Sequence, residues 1–383
     1  MASGLDIGGT LVGAAIPPTE AYAHAVSDVD DVASILAVDN RDFGRVSHAT
    51  PLAGDSTFTW QYERTRDGLT KLYERAKTAQ WNATTDLDWS INVDIEAVAN
   101  DAGPGLGPVA QALAQADNSP IRKWGDAEWT QFRIEVMNWR LSQFLHGEQG
   151  ALVCASKIVD TTPWIEAKYF ASTQVVDEAR HVEVFSRYLN EKLGGFYEVN
   201  GHLQLLIDDL LSDTRWDITY MGMQILVEGL ALAAFGYIHS VTTEPLLKQL
   251  LRYVLADEAR HVAFGVISLQ EFYEGLTAAE IRERQEFAYE ACVLLRNRFM
   301  MHAVWERMGV DKQFVTEFLL TLRKPGMNPF ANALFSKVVP NCKKLGLIDA
   351  GDGWLRDRFA EIGVLEFEDL ADTATELELA AAE

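Results

Sequence analysis

Six residues, Asp177-Glu178-Ala179-Arg180-His181-Val182, return unchanged 80 positions later as Asp257-Glu258-Ala259-Arg260-His261-Val262. In each copy a Glu and a His stand three residues apart, so on a helix they share one face and can hold one ion. Glu148 lies 30 residues before Glu178, and Glu228 lies 30 before Glu258. The chain thus uses one pattern twice, a lone Glu followed by a Glu-x-x-His. Four carboxylates and two imidazoles so arranged are the ligand set of a di-metal helix bundle.

The segments that carry the pattern read as helices. Helices are expected over about 126–159, 163–193, 214–240 and 245–275, with a short one near 202–211. Thr161-Thr162-Pro163 and Thr242-Thr243-Glu244-Pro245 mark the turns, with Pro early in the following helix. Measured from Thr162, Glu148 is 14 residues back and Glu178 is 16 forward; from Thr243, Glu228 and Glu258 are each 15 away. At about 1.5 Å per residue, both glutamates of each hairpin sit roughly 22 Å from its tip. Two antiparallel hairpins would then bring all six ligands to one level.

Burying four carboxylates without counter-charge is prohibitive. Two divalent ions supply four positive charges and remove the problem. A Glu-x-x-His pair taken singly is most often a solvated pair; its repetition with a matching upstream Glu sets this chain apart. Asp177 and Asp257 precede the ligand glutamates and are expected to accept from the far ring nitrogens across the bundle, Asp177 from His261 and Asp257 from His181. Arg180 and Arg260 are expected to pair with those aspartates. Gly147, Gly150 and Gly229 flank ligands and either leave room for dioxygen or substrate or permit close helix packing. The remaining histidines, His24, His48, His146, His202, His239 and His302, show no matching spacing.

At these residues the chain resembles the ferritin-like di-iron carboxylate superfamily. The branch concerned holds the ribonucleotide reductase small subunits, multicomponent monooxygenases, acyl-carrier-protein desaturases and arylamine N-oxygenases. The resemblance covers about residues 126–275. It implies two iron ions, or a manganese and an iron, that activate dioxygen. A second likeness is Trp81-Asn82-Ala83 through Asp88, which looks like the Trp-x-Pro segment of reductase small subunits and ligand-binding oxidases. There the Trp conducts electrons, a role Trp81 would inherit; Ala83 stands in place of the Pro. Other departures matter. Phe185 occupies the position of the reductase radical tyrosine. Ala231 and Leu232 stand where monooxygenases and desaturases carry a Thr. Val254 stands where N-oxygenases have an additional His.

The fold expected is all-α: a ferritin-like four-helix bundle with additional N- and C-terminal helices. Residues 1–55 read as an irregular or partly disordered arm and 56–358 as a single helical domain. Residues 359–383 read as an acidic tail, with eight acidic residues and no basic one, that is expected to end disordered. Further helices are expected at 57–80, 278–309, 311–323 and 328–345. Asp6-Ile7-Gly8-Gly9-Thr10 resembles a phosphate loop but lacks flanking strands.

Composition narrows the partners. A net charge of −23 argues against nucleic acid and anionic membranes. The stretch from Ile218 to Thr243 has one acidic or basic residue, Glu228, and matches a membrane span in length; a buried core helix explains it better. Three scattered cysteines without a CxxC spacing, and no Lys or Arg before Arg41, lead to the expectation of a reduced, cytoplasmic protein. The function expected is an O2-dependent di-iron oxygenase or oxidase of a small apolar organic substrate. A ferredoxin or reductase would donate electrons, and a homodimer is the expected assembly. The rivals are a reductase-like manganese–iron or di-iron subunit without the radical tyrosine, and a ferroxidase; the helices after 278 argue against the latter.

Overall fold

The computed structural model describes residues 29–39, 48–101, 107–321 and 334–382. It is all-α, with no strand among the described residues. Two long antiparallel hairpins form the centre. The first joins α5 (Asp126–Thr161) to α6 (Ile165–Tyr188), and the second joins α8 (Trp216–Val241) to α9 (Pro245–Tyr273). Around them lie α1 (Val32–Asp39), α2 (Asp67–Thr78), α3 (Ile95–Asp101), α4 (Gly107–Gln115) and α7 (Gly201–Ser212), then α10 (Ala278–Asn297), α11 (His302–Arg307) and α12 (Lys312–Thr321). The last helices are α13 (Val338–Lys344), α14 (Trp354–Glu361) and α15 (Thr373–Ala382).

Local chemistry fixes the hairpin ends. Glu128 accepts from the Gly125 amide at the start of α5, and Pro163, two residues beyond its last turn, cannot continue it. Helix α6 runs on into a π turn, Leu189–Leu193, that Gly194 ends in the left-handed conformation. The Glu244 carboxylate accepts from the Leu246 and Leu247 amides, and Pro245 opens α9. Buried Lys157 of α5 reaches the carbonyls of Leu210, Leu211 and Asp213 at 2.6–3.0 Å, tying the end of α7 to the first hairpin.

The apolar stretch after Trp216 is a core helix: 78% of its most apolar window is buried in the bundle, and it is the one described helix long and apolar enough to cross a membrane. It carries a π segment, Met221–Val227, immediately before Glu228. Such irregular turns recur at functional sites because they re-aim the next side chain.

Several expectations need correction. Within the expected irregular arm, Val32–Asp39 is helical and buries Ile35 and Val38. The Asp6–Thr10 motif and His24 lie outside the described residues. Residues 57–66, expected to be helical, are not; Thr65 and Arg66 instead donate backbone amides to Glu166. The helix expected over 278–309 breaks where Met301 adopts φ 53°. The acidic tail is structured up to α15, which packs on α9. Its acids find basic partners upstream: Lys337 holds Glu376 at 2.6 Å, Lys343 holds Asp369 at 2.9 Å, and Arg356 holds Glu368. A count within the tail alone misses these long-range pairs.

Glycines report how tightly the outer helices are seated. A Cβ on Gly201 would lie 2.3 Å from the Val38 carbonyl oxygen, a backbone atom that cannot swing away. Gly236, inside α8, would meet nothing within 4 Å. Gly201→Ala should therefore cost about 1–3 kcal/mol, the price of overpacking. Gly236→Ala should gain up to about 1 kcal/mol from helix propensity. Thermal melts of the two variants should move in opposite directions.

Candidate di-metal centre

The two hairpins bring Glu148 from α5, Glu178 and His181 from α6, Glu228 from α8, and Glu258 and His261 from α9 into one buried cluster. None exposes more than 5% of its surface. Their donor atoms form two groups, each gathered within 4.8 Å: Glu148, Glu178, His181 and Glu258, and Glu178, Glu228, Glu258 and His261. Glu178 and Glu258 belong to both. The geometry is that of two adjacent sites, each with a private Glu and His, joined by two shared carboxylates.

The imidazoles point the same way in both halves. His181 Nδ1 faces the cluster, 3.0 Å from Glu258 Oε1 and 3.1 Å from Glu148 Oε2. Its Nε2 lies 3.2 Å from Asp257 Oδ2. His261 Nδ1 lies 3.0 Å from Glu178 Oε1, and its Nε2 lies 3.2 Å from Asp177 Oδ2. Each Asp therefore accepts an Nε2–H from the opposite hairpin and leaves the Nδ1 lone pair turned inward. This is the carboxylate–histidine arrangement that orients a metal ligand. Arg180 bonds to Asp177 and lies 3.7 Å from Asp257, while Arg260 bonds to Asp257. Trp81 Nε1 donates to Asp257 Oδ2 at 2.7 Å; its ring stacks on Tyr253 and lies under the Arg180 guanidinium.

Electrostatics show what the cluster lacks. Burial and the neighbouring Glu258 push the Glu148 carboxyl well above the usual carboxylate range, and burial with Glu178 does the same to Glu228. Burial would also raise Glu178, but His261 and His181 outweigh it and hold that carboxyl far below its usual value. Against burial, Asp257 and Glu148 raise His181, and Glu178 and Asp177 raise His261. Burial is likewise overcome at Asp257, which His181 brings down to about 2. Glu178 Oε2, Glu228 Oε2, both Glu258 oxygens and His261 Nδ1 are buried with no hydrogen bond. Orphaned polar atoms at this depth cost roughly 1–3 kcal/mol each. All five lie in the cluster, and two divalent ions would satisfy them together. The residues fit the group that the sequence implies.

Other side chains of the site carry no repeat signal. Gln174 donates to Glu228 Oε1 at 2.8 Å and to Glu178 Oε1 at 3.2 Å, and accepts from Gln224. Each Gln stands four residues before a ligand Glu, which is the signal that could have found them. Tyr220, one turn earlier on α8, is fully buried and bonds to Ser268; the Glu228 charge reaches its hydroxyl. Phe185 packs on Phe235 and Phe144. A small pocket of about 20 Å³ opens onto the cluster between Phe144, Gly147, Glu148, Glu228, Glu258 and Arg298. Of the three glycines singled out from sequence, Gly147 alone lines it. A Cβ on Gly150 would strike Ile207 at 2.5 Å, and one on Gly229 would make ordinary contact with Val338, so these two serve packing. His146 turns away to the Tyr197 carbonyl, His48 lies beside Asp208, and His302 bonds to Asp39 and Thr316.

No family model matches the chain, and no curated protein matches it. Solved structures do. A variant of an R2-like ligand-binding oxidase with anaerobically reconstituted Mn/Fe cofactor is 19% identical, with a TM-score of 0.41 over 74% of this chain and 94% of that one. Another such variant is 17% identical, with a TM-score of 0.42 over 72% and 94%. An aerobically reconstituted variant is 17% identical, with a TM-score of 0.38 over 82% and 95%. The ferritin-like fold of this chain stands on its own geometry: two antiparallel hairpins, a Glu from one helix of each and a Glu-x-x-His from the other, all meeting at one buried level.

Proposed function

We propose that this protein is a di-metal oxidoreductase of the oxygenase or oxidase type, acting on a small, largely apolar organic molecule. The observation that carries this reading is the pair of ligand groups sharing Glu178 and Glu258 in a buried core, with a pocket reaching three of the ligands. Two iron ions, or a manganese and an iron, would supply the open coordination positions and the electrons that dioxygen reduction needs. The chain supplies the rest. Glu148 and His181 would hold one ion and Glu228 and His261 the other, with Glu178 and Glu258 available to either. Asp257 and Asp177 keep the imidazoles in the tautomer that presents Nδ1. Gln174 fixes Glu228 and Glu178. Phe144 and Val227 give the pocket an apolar wall, and Gly147 leaves open space beside Glu148. Trp81, in hydrogen-bonded line with Asp257 and His181, is the entry for electrons from a ferredoxin or reductase.

Reconstitution with iron, with and without manganese, followed by metal analysis and an oxygen electrode, tests the reading. Two ions per chain and reductant-dependent oxygen uptake are expected. A single ion at full loading, or two ions with no uptake, would reject it. Gly147→Leu should leave metal loading intact and depress substrate oxidation at least tenfold. Electron paramagnetic resonance after exposure to oxygen should show no lasting tyrosyl radical, since Phe185 has no ionisable hydroxyl. A persistent radical abolished by Tyr220→Phe would move the protein to the radical-storing reading instead.

A further inference from the structure

Residues 48–66 contain no helix and cross the tip of the first hairpin as an extended strap. Ala53 donates its amide to the Leu211 carbonyl at 3.0 Å, and Thr57 donates to the Asp160 carbonyl at 2.9 Å. The Thr59 hydroxyl donates to the Pro163 carbonyl at 2.5 Å, and Thr65 and Arg66 end the strap on Glu166. Between and beside these anchors the large side chains turn outward. Leu52, Phe58, Trp60 and Tyr62 expose 66%, 73%, 76% and 61% of their surface, four of the eight large apolar side chains exposed among the described residues. Phe58 and Trp60 stack on each other, ring centroids 5.6 Å apart and planes 11° from parallel. A row of exposed aromatics fixed in place from behind is the composition of an interface core.

The strap itself says what covers it. Alternate residues of an extended chain share a face, so Phe58, Trp60 and Tyr62 form one row while Thr57 and Thr59 face the hairpin. That row reads alike in both directions about Trp60, the self-complementarity that a two-fold contact requires. Charge sets the direction. Asp55, which makes no ion pair among the described residues, stands at one end, and Arg64 and Arg66 stand at the other. An antiparallel copy brings each Asp55 beside the other copy's two arginines; a parallel copy sets Asp55 against Asp55. Arg64 and Arg66 also hold Glu74 and Glu271 at exposed positions, where an arginine fork can serve a second carboxylate. From Leu52 to Tyr62 the only charged residue is Asp55, so two chains of net charge −23 meet here with little local repulsion. The area suffices as well. Four such side chains at these exposures present roughly 600 Å² per copy, or about 1,200 Å² for two, the lower bound of a stable interface.

We infer that the strap is the contact surface of a homodimer. Two copies pack antiparallel about a two-fold axis, Trp60 against Trp60 and Phe58 against Tyr62. The contact closes the tips of the two first hairpins together and leaves the metal clusters independent of each other.

The test uses the full-length protein in sedimentation velocity at falling concentration. A dimer is expected. Trp60→Glu sets two like charges on the axis and should weaken it at least about 30-fold, the loss of a hot-spot residue. Because Trp60 is exposed, the circular dichroism of that variant should match the unaltered chain. Register is read by cysteine cross-linking, which the three native cysteines do not confuse because all are buried. Under copper–phenanthroline, Trp60→Cys should cross-link to itself. Phe58→Cys should cross-link to Tyr62→Cys in a mixture of the two, and poorly to itself. A monomer at every concentration, or a dimer that Trp60→Glu leaves unchanged, would overturn the inference. So would Phe58→Cys cross-linking to itself better than to Tyr62→Cys, which would make the copies parallel.

Discussion

Glu178→Ala and Glu258→Ala will each strip both ions from the protein, whereas Glu148→Ala and Glu228→Ala will each remove one. The asymmetry follows from the sharing of carboxylates. Glu148 and Glu228 each belong to one ligand group, while Glu178 and Glu258 belong to both. Losing a shared carboxylate would take a donor from each site at once and remove one negative charge from the cluster. Metal analysis of purified, iron-loaded variants should read about two ions for the unaltered chain, about one for the private ligands, and near zero for the shared ones. Stability should follow. An ion present at 100 to 1,000 times its dissociation constant adds about 2.7–4.1 kcal/mol to folding. Loading should therefore raise the melting temperature of the unaltered protein and leave the Glu178 and Glu258 variants unmoved. Glu178→Gln keeps the shape and removes the charge, so it should behave like the Ala variant if charge is what counts. Retention of one tight ion by Glu178→Ala would show that Glu178 serves a single site.

The centre was legible because its ligands obey two rules of helix geometry at once. A Glu and a His three apart share a face, and equal distances from two turns share a height. The cross-bundle pairs Asp177–His261 and Asp257–His181 could be expected for the same reason, since each Asp occupies one position in an identical hexapeptide. What escaped the repeat is what breaks it. Gln174 and Gln224 are bonded to each other and to the Glu228 side of the cluster, yet the positions 80 residues from them are Val254 and Phe144. The two halves carry the same ligands in different surroundings: Gln174 bonds to Glu228, whereas Glu148 lies against His181. Gly150 and Gly229 were read with Gly147 as one group; only the neighbours Ile207 and Val338, remote in sequence, tell packing from space. The tail misled for a similar reason: the charges that balance it stand upstream, on Lys337, Lys343 and Arg356.

Asp257→Asn should weaken metal binding and turnover by about 10–100-fold, and Trp81→Phe should slow turnover while leaving the metals in place. Asp257 is the crossing point of the centre. It takes a hydrogen bond from His181 Nε2 at 3.2 Å and one from Trp81 Nε1 at 2.7 Å, and is held by Arg260. An Asn of the same shape has one acceptor oxygen where the carboxylate has two, and no charge. His181 then loses the partner that fixes its tautomer and strengthens its Nδ1, which is how a residue that touches no ion controls an ion's affinity. Asp177→Asn should act alike through His261, where Gln80 takes the place that Trp81 has beside Asp257. Trp81→Phe is a different kind of change. It removes one donor to Asp257 and an oxidisable indole, but leaves the Asp257–His181 bond and the Arg260 pair. Metal content should be unchanged, and the rate of reduction by an external one-electron donor should fall, whereas the rate with a small permeant reductant should hold. Loss of metal in Trp81→Phe would make the indole a structural support of Asp257. Equal rates with both kinds of reductant would place the electron entry elsewhere. The paired variants thus separate two roles that meet on one carboxylate: holding a histidine toward the ions, and linking them to the protein surface.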